Sequence, residues 1–199
     1  MTLAIVDTST ANIASVRYAL ERLNAPYVLA RSPDEAAGCD RLILPGVGAA
    51  GPAMARLQLT GWADALQRET RPLLGVCLGM QLLFEHSAES DCAMLGLIPG
   101  RIEKLDPGAD GPWPHMGWNT LTDFADGEAL LEGIKERDRV YFVHGFYAPV
   151  GPHTVAQTRY GAAITGIARK GRVAGCQFHP ERSAEVGARI LKNFLEAAA

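Results

Sequence analysis

The sequence contains few of the features that mark a metal-binding, secreted or membrane protein. Its cysteines include no C-x-x-C spacing, which argues against a zinc site and against a disulfide framework: Cys39, Cys77, Cys92 and Cys176. The first residues lack the basic segment and long apolar stretch of a signal peptide, and no later apolar run reaches membrane-spanning length. A net charge of -3 gives no electrostatic reason to expect nucleic acid or an anionic membrane as a partner. We therefore expect a cytoplasmic protein.

Internal repeats and low-complexity segments are also missing. The 199 residues, 48% of them hydrophobic, fit one globular domain over 1–199 with a full core. Strands are predicted at Leu3 to Val6, Tyr27 to Ala30 and Arg41 to Leu44, with an amphipathic helix between the first two. Further along the chain we predict a helical region over 52–70, a polar irregular segment from His86 to Met94, and two strands of a small antiparallel region, His115 to Leu121 and Arg139 to Phe146. This strand-helix-strand order predicts an α/β fold with a parallel sheet, in which ligands bind at the carboxyl ends of the strands.

The stretch from Pro72 to Phe84 combines a buried strand with the start of a helix, so a sharp turn is predicted at Cys77. Gly75 and Gly79 flank this cysteine, as a nucleophile on a strained turn requires. The start of the following helix would favour the thiolate form of the sulfur. The pattern G-x-C-x-G is short, and a buried structural cysteine between two packing glycines also fits it.

A second stretch, near the C-terminus, favours the catalytic interpretation. A strand from Val173 is followed by His179 and Glu181, and Ser183 is predicted to cap the final helix. In a thiol triad the imidazole takes the proton of the thiol and the carboxylate orients the imidazole. A lone histidine is more often structural, but together with the elbow cysteine upstream it predicts nucleophilic catalysis.

With both stretches in place, the chain resembles the class I (triad) glutamine amidotransferases nearly from end to end. Two stretches carry the resemblance to the superfamily, the elbow Gly75-Val-Cys-Leu-Gly-Met-Gln81 and the segment Gln177-Phe-His-Pro-Glu181. Further matching stretches are Pro45-Gly-Val-Gly48, Gly96-Leu-Ile-Pro-Gly100, Pro114-His-Met-Gly-Trp-Asn119 and Tyr141-Phe-Val-His144. The last two, together with the missing synthase domain, point to a glutaminase subunit that passes ammonia to a separate cyclase subunit with a barrel fold.

The resemblance implies a three-layer flavodoxin-like fold, a mostly parallel sheet with flanking helices and a small antiparallel region, and no cofactor. It implies L-glutamine as the substrate of a Cys77, His179 and Glu181 triad. It also assigns oxyanion-hole amides to Gly48 and Leu78, and contacts with the amino-acid end of glutamine to Gln81, Gly145 and Phe146. Taken alone, the Pro-Gly turn would be ordinary chain punctuation and Gln81 a capping or solvated residue.

The resemblance further implies that Asn12, Trp118, Tyr141 and Arg182 face the cyclase. Without it, the two aromatics would be core residues and Arg182 a solvated charge. Two departures from the family pattern concern the turn before the first helix, which keeps only Asp7 and Asn12, and Gly145, where a hydroxyl residue is usual.

Three other functions remain open from the sequence alone. A glutaminase subunit for another synthase would share the triad but lack the stretch from Pro114 to Asn119. A free-standing thiol hydrolase would need no partner. A flavodoxin-like binding module without enzymatic activity would tolerate replacement of Cys77.

Overall fold

The computed structural model describes residues 1–8 and 13–197. Within those ranges the helices are α1 (Ile13–Arg22), α2 (Ala50–Leu59), α3 (Trp62–Gln67), α4 (Leu78–Gln81) and α5 (Ala184–Glu196). The strands are β1 (Leu3–Val6), β2 (Tyr27–Ala30), β3 (Arg41–Gly46), β4 (Leu73–Cys77), β5 (His86–Ser87), β6 (Cys92–Ala93), β7 (Arg101–Lys104), β8 (His115–Thr120), β9 (Arg139–His144), β10 (Phe146–Tyr147), β11 (Thr154–Tyr160), β12 (Ala162–Lys170) and β13 (Val173–Cys176).

The main sheet has seven strands in the described part of the chain, in the order β11-β12-β13-β4-β3-β1-β2. Pairing is parallel from β13 to β2, whereas β12 is antiparallel to both of its neighbours. Strands β8 and β9 form a separate antiparallel pair, as predicted. Short strands complete a further sheet in the order β10-β7-β5-β6.

The main sheet separates two hydrophobic cores. Residues of α2, α3 and α4 pack on one face, with Trp62 among the largest fully buried side chains. Residues of α1 and α5 pack on the other face, together with Phe142 and Phe178. Apolar side chains on both faces explain why β1, β3 and β4 are buried along their whole length. The predicted three-layer α/β architecture is confirmed.

Three details differ from the sequence-based prediction. The helical region predicted over 52–70 is two helices, because Gly61 has a φ of 76° and interrupts the chain between α2 and α3. The polar segment from His86 to Met94 contains the short strands β5 and β6. The elbow helix α4 ends at Gln81, before Leu83 and Phe84, which were predicted to continue it. No helix within the described ranges is long and apolar enough to cross a membrane.

Candidate active site

The candidate site lies where three neighbouring parallel strands, β3, β4 and β13, reach their carboxyl ends. This is the edge at which the sequence predicted a ligand site. Cys77 is the last residue of β4 and has a φ of 54° and a ψ of -113°. A non-glycine residue rarely adopts a positive φ, and such strain concentrates at functional sites. The predicted sharp turn at Cys77 is therefore present.

Glycines let α4 approach the sheet closely enough to form this turn. A Cβ added to Gly75 would lie 2.6 Å from the carbonyl oxygen of Gly79, and one added to Gly46 would lie 2.7 Å from the Gly79 nitrogen. A Cβ on Gly79 itself would overlap the carbonyl oxygen of Leu44. Backbone therefore packs directly on backbone at the elbow. This close packing requires the glycines, in addition to the strained turn at Cys77 from which they were predicted.

Cys77, His179 and Glu181 meet in one pocket of about 230 Å³. His179 Nδ1 lies 2.8 Å from Glu181 Oε1, so the carboxylate orients the ring. Burial lowers the pKa of His179, but hydrogen bonds and charge from Cys77 and Glu181 outweigh burial and raise the pKa to about 10. The imidazole is therefore held as an imidazolium beside the sulfur at neutral pH.

Two further groups contact the Cys77 sulfur. The side-chain amide of Gln177 donates to Sγ at 3.9 Å, and the carbonyl oxygen of Val143 lies 3.7 Å from it. Neither Val143 nor Gln177 is among the predicted site residues, although both belong to the stretches that carry the resemblance.

Ser183 occupies the predicted N-cap position of α5, but its side chain makes no capping hydrogen bond to the helix. Its hydroxyl instead donates to the carbonyl oxygen of His179 at 2.7 Å and accepts from the backbone N–H of Tyr141 at 2.9 Å. Tyr141 also accepts from the N–H of His179 through its carbonyl oxygen, at 2.9 Å. These bonds attach the loop that carries His179 to β9.

The two residues predicted to form an oxyanion hole both line the pocket. Leu78 begins α4, so its N–H has no partner within that helix. Gly48 follows β3 with a φ of 89°, and a Cβ there would meet nothing within 4 Å. The side of Gly48 on which a Cβ would lie is therefore open space, in the loop that lines the same pocket as Cys77.

Gln81 lines the same pocket and is almost fully buried. Its Nε2 donates to the carbonyl oxygen of Phe146 at 2.8 Å and to Oε1 of Gln177 at 3.0 Å. Both amide protons are used in these bonds, so Oε1 is the group left to accept a hydrogen bond from a ligand. An acceptor at this position suits an α-ammonium group.

Gly145 and Phe146 also line the pocket. The indole Nε1 of Trp113 donates to the carbonyl oxygen of Gly145 at 3.0 Å, and a Cβ at Gly145 would lie 2.7 Å from Cε2 of that ring. The departure from the family pattern at Gly145 is thus matched by an indole that occupies the space of a side chain.

Three of the four predicted partner-facing residues form one contiguous group on either side of Tyr141. Trp118 is 45% exposed and packs edge-on against Tyr141, with ring centroids 5.9 Å apart. The guanidinium of Arg182 lies over the Tyr141 ring, 5.7 Å from its centroid, and Arg182 also lines the pocket. Asn12, the fourth predicted residue of this surface, lies outside the described residues.

Residues 1–8 and 13–197 contain no cluster of three His, Cys, Asp or Glu side chains that could hold a metal ion.

Comparison with known proteins identifies the class. The family model for class I glutamine amidotransferases matches residues 4–198. A crystal structure of a glutamine amidotransferase superposes with a TM-score of 0.75 at 21% identity, covering 98% of this chain and 97% of that chain. A chain of PurLQS from Thermotoga maritima superposes with a TM-score of 0.70, also at 21% identity, over 98% of this chain and 97% of its own. The chain belongs to the class I glutamine amidotransferase family.

Its close relatives within that family are imidazole glycerol phosphate synthase subunits named HisH. The subunit from Xanthomonas campestris pv. campestris strain 8004 is 52% identical over 194 residues, which cover 98% of this chain and 96% of the relative. The subunit from Xylella fastidiosa strain Temecula1 is 49% identical over 193 residues, which cover 97% and 96% of the two chains.

Proposed function

We propose that Cys77, His179 and Glu181 hydrolyse the side-chain amide of L-glutamine to glutamate and ammonia. The chain is the glutaminase subunit of imidazole glycerol phosphate synthase and supplies ammonia to the cyclase subunit for histidine biosynthesis. The observation that supports the catalytic assignment best is the strained elbow cysteine beside a His179–Glu181 pair whose Nδ1–Oε1 distance is 2.8 Å. We take residues 1–199 as one glutaminase domain.

The reaction proceeds through a covalent thioester. The Cys77 thiolate attacks the carboxamide carbon, and the N–H groups of Gly48 and Leu78 stabilise the oxyanion that forms. Each such donor contributes on the order of a hundred- to a thousandfold in rate. The C–N electron pair then leaves with nitrogen, which takes the proton of the His179 imidazolium and departs as ammonia. Neutral His179 next removes a proton from water, which attacks the thioester and releases glutamate and the thiolate.

Because the product is ammonia, the chain needs a partner that provides the acceptor site. Ammonia becomes useful when it reaches an acceptor, and in the synthase that acceptor site belongs to the cyclase subunit, which forms imidazole glycerol phosphate and an aminoimidazole carboxamide ribotide. The structure describes Cys39, Cys77, Cys92 and Cys176 as free thiols, in keeping with a reducing compartment. A cytoplasmic location is part of this proposal.

The test of the function is glutamine hydrolysis by the purified chain, alone and with its cyclase and the nucleotide substrate of the cyclase. We expect little turnover by the isolated chain and strong stimulation in the complex. The reason is the loop at Gly48, whose peptide can direct its N–H toward or away from the oxyanion as the backbone changes conformation. High turnover by the isolated chain would instead favour a free-standing thiol hydrolase.

The pH dependence of kcat/KM tests the roles of His179 and Glu181. Because the pKa of His179 is raised to about 10, the imidazolium is present throughout the neutral range and is lost only as the pH rises through about 10. We expect the alkaline limb of the profile near that pH. Glu181→Gln removes one of the groups that raise this pKa, so the limb should move to lower pH. An unchanged alkaline limb in E181Q would contradict the proposed coupling.

Arg182 tests the proposed partner surface. Its guanidinium lies over Tyr141 and beside the pocket, a position from which an acidic group of the cyclase could couple docking to the triad. Arg182→Ala should weaken stimulation by the cyclase several-fold while the free energy of unfolding changes by less than about 1 kcal/mol. Arg182→Lys should be milder because the charge remains. Unchanged stimulation and affinity in R182A would show that Arg182 is a solvated charge.

A further inference from the structure

Two buried histidines outside the triad contact each other, and one of them, His144, lines the glutamine pocket. His115 begins β8, His144 ends β9, and the two residues are paired across the strands. The side chain of His115 is stacked between two rings, with centroids 4.8 Å from Phe142 and 4.2 Å from Tyr160. Neither histidine takes part in the mechanism described above.

The two rings belong to a chain of hydrogen bonds in which every donor lies on the same side of its acceptor. A carbonyl oxygen can only accept, so His144 Nδ1, 2.9 Å from the carbonyl oxygen of Phe146, carries a proton. In the neutral ring His144 Nε2 is then an acceptor, and His115 Nδ1, 3.0 Å away, must be its donor. His115 Nε2 in turn accepts from Nδ2 of Asn119 at 3.3 Å.

Backbone groups fix the Asn119 end of this chain of hydrogen bonds. The side-chain oxygen of Asn119 accepts from the N–H of Thr120 at 2.8 Å, and its nitrogen donates to the carbonyl oxygen of Arg159 at 2.9 Å. The orientation of the Asn119 amide therefore follows from its neighbours. The three hydrogen bonds that link Asn119, His115, His144 and the Phe146 carbonyl are thus all donated in the direction of Phe146.

Both rings are neutral at physiological pH. Burial lowers the pKa of His115 to about 4. Burial, helped by charge on His115 and His179, lowers the pKa of His144 to about 3, against a smaller opposing effect of its bond to Phe146. The neutral state is the one that the directed chain of hydrogen bonds requires.

This chain of hydrogen bonds ends at the carbonyl oxygen of Phe146, to which Gln81 also donates at 2.8 Å. The Phe146 oxygen thus accepts from His144 and from Gln81. Together with Oε1 of Gln177, it is one of the two acceptors that orient the Gln81 amide, and so it influences where the remaining oxygen of Gln81 points in the pocket. We propose that Asn119, His115 and His144 are positioning residues that hold the Phe146 carbonyl, and through it Gln81, in the orientation that binds the amino-acid end of glutamine. This inference rests on the proposed glutaminase function.

The kinetic test replaces His115 with phenylalanine in the complex with the cyclase. Phenylalanine retains a ring between Phe142 and Tyr160 but removes the donor to His144 and the acceptor for Asn119. We expect KM for glutamine to rise about tenfold, with kcat within about twofold of the unaltered complex. His115→Gln can donate at one end and accept at the other, and should recover part of the loss. His153→Phe, outside the chain of hydrogen bonds, is the matched control and should leave KM unchanged. An unchanged KM in H115F, or a fall in kcat alone, would overturn the proposal.

A second measurement needs no substitution and no enzymatic activity. In ¹⁵N NMR of the unaltered chain at pH 7, both rings should be neutral and carry their proton on Nδ1. A proton on Nε2 of His144, or a charged ring, would refute the proposed direction of the hydrogen bonds. If this signature is present but the complex does not hydrolyse glutamine, the proposed function has failed. If glutamine is hydrolysed without the signature, the positioning role alone has failed.

Discussion

Replacing Cys77 with alanine should abolish glutamine-dependent synthesis by the complex and leave synthesis from free ammonia intact. The thiolate forms the bond to the carboxamide, and no other group at the site can replace it, so we expect a loss on the order of a thousandfold or more. The cyclase needs ammonia and does not depend on how it is made. The measurement is the rate of cyclase product formation with glutamine and with an ammonium salt.

Cys92→Ala is the matched control and should retain both activities. An electrophilic glutamine analogue adds a second readout, because it should alkylate Cys77 and largely spare the other thiols. Burial raises the pKa of Cys39, of Cys92 and of Cys176, which makes each a poor nucleophile at neutral pH. Loss of both activities in a folded C77A complex, or alkylation spread over all four thiols, would contradict the assignment.

The elbow and the loop with His179 could be predicted from sequence because each is local. A strand running into a helix with small residues on both sides of Cys77 has few other solutions, and the order of strands in the first half follows from their periodicity. The parallel neighbours β4 and β13 then bring Cys77 and His179 together at one edge, although about a hundred residues separate them in sequence.

Features that depend on nonlocal contacts could not be predicted in the same way. Ser183 has the residue type and position of a helix cap, but its hydroxyl accepts from the N–H of Tyr141 in β9 and donates to the carbonyl oxygen of His179. The bond between His115 and His144 requires the register of β8 with β9, which hydrophobic patterning does not specify to the atom. No prediction covers the hairpin of β11 and β12, whose pairing is interrupted by register shifts between Thr154 and Gln157.

Gly79→Ala should destabilise the protein, the reverse of what helix propensity predicts. Gly79 lies in α4, where alanine would ordinarily be favoured over glycine by about 1 kcal/mol. A Cβ at this position would overlap the carbonyl oxygen of Leu44, a backbone atom at the centre of the sheet that cannot rotate away as a side chain can. We expect the free energy of unfolding to fall by about 3 kcal/mol, as for severe overpacking of a core.

Urea unfolding followed by circular dichroism measures this effect, with Gly38→Ala as the matched control, since a Cβ at Gly38 would meet nothing within 4 Å. Glutaminase activity provides the second readout. Relief of the overlap would move α4 away from β3 and displace Cys77 and the N–H of Leu78, so activity should fall even under conditions in which G79A remains folded. A variant as stable as G38A would show that α4 can shift at little cost. Full activity in the same variant would show that the elbow does not depend on the close contact of α4 with the sheet.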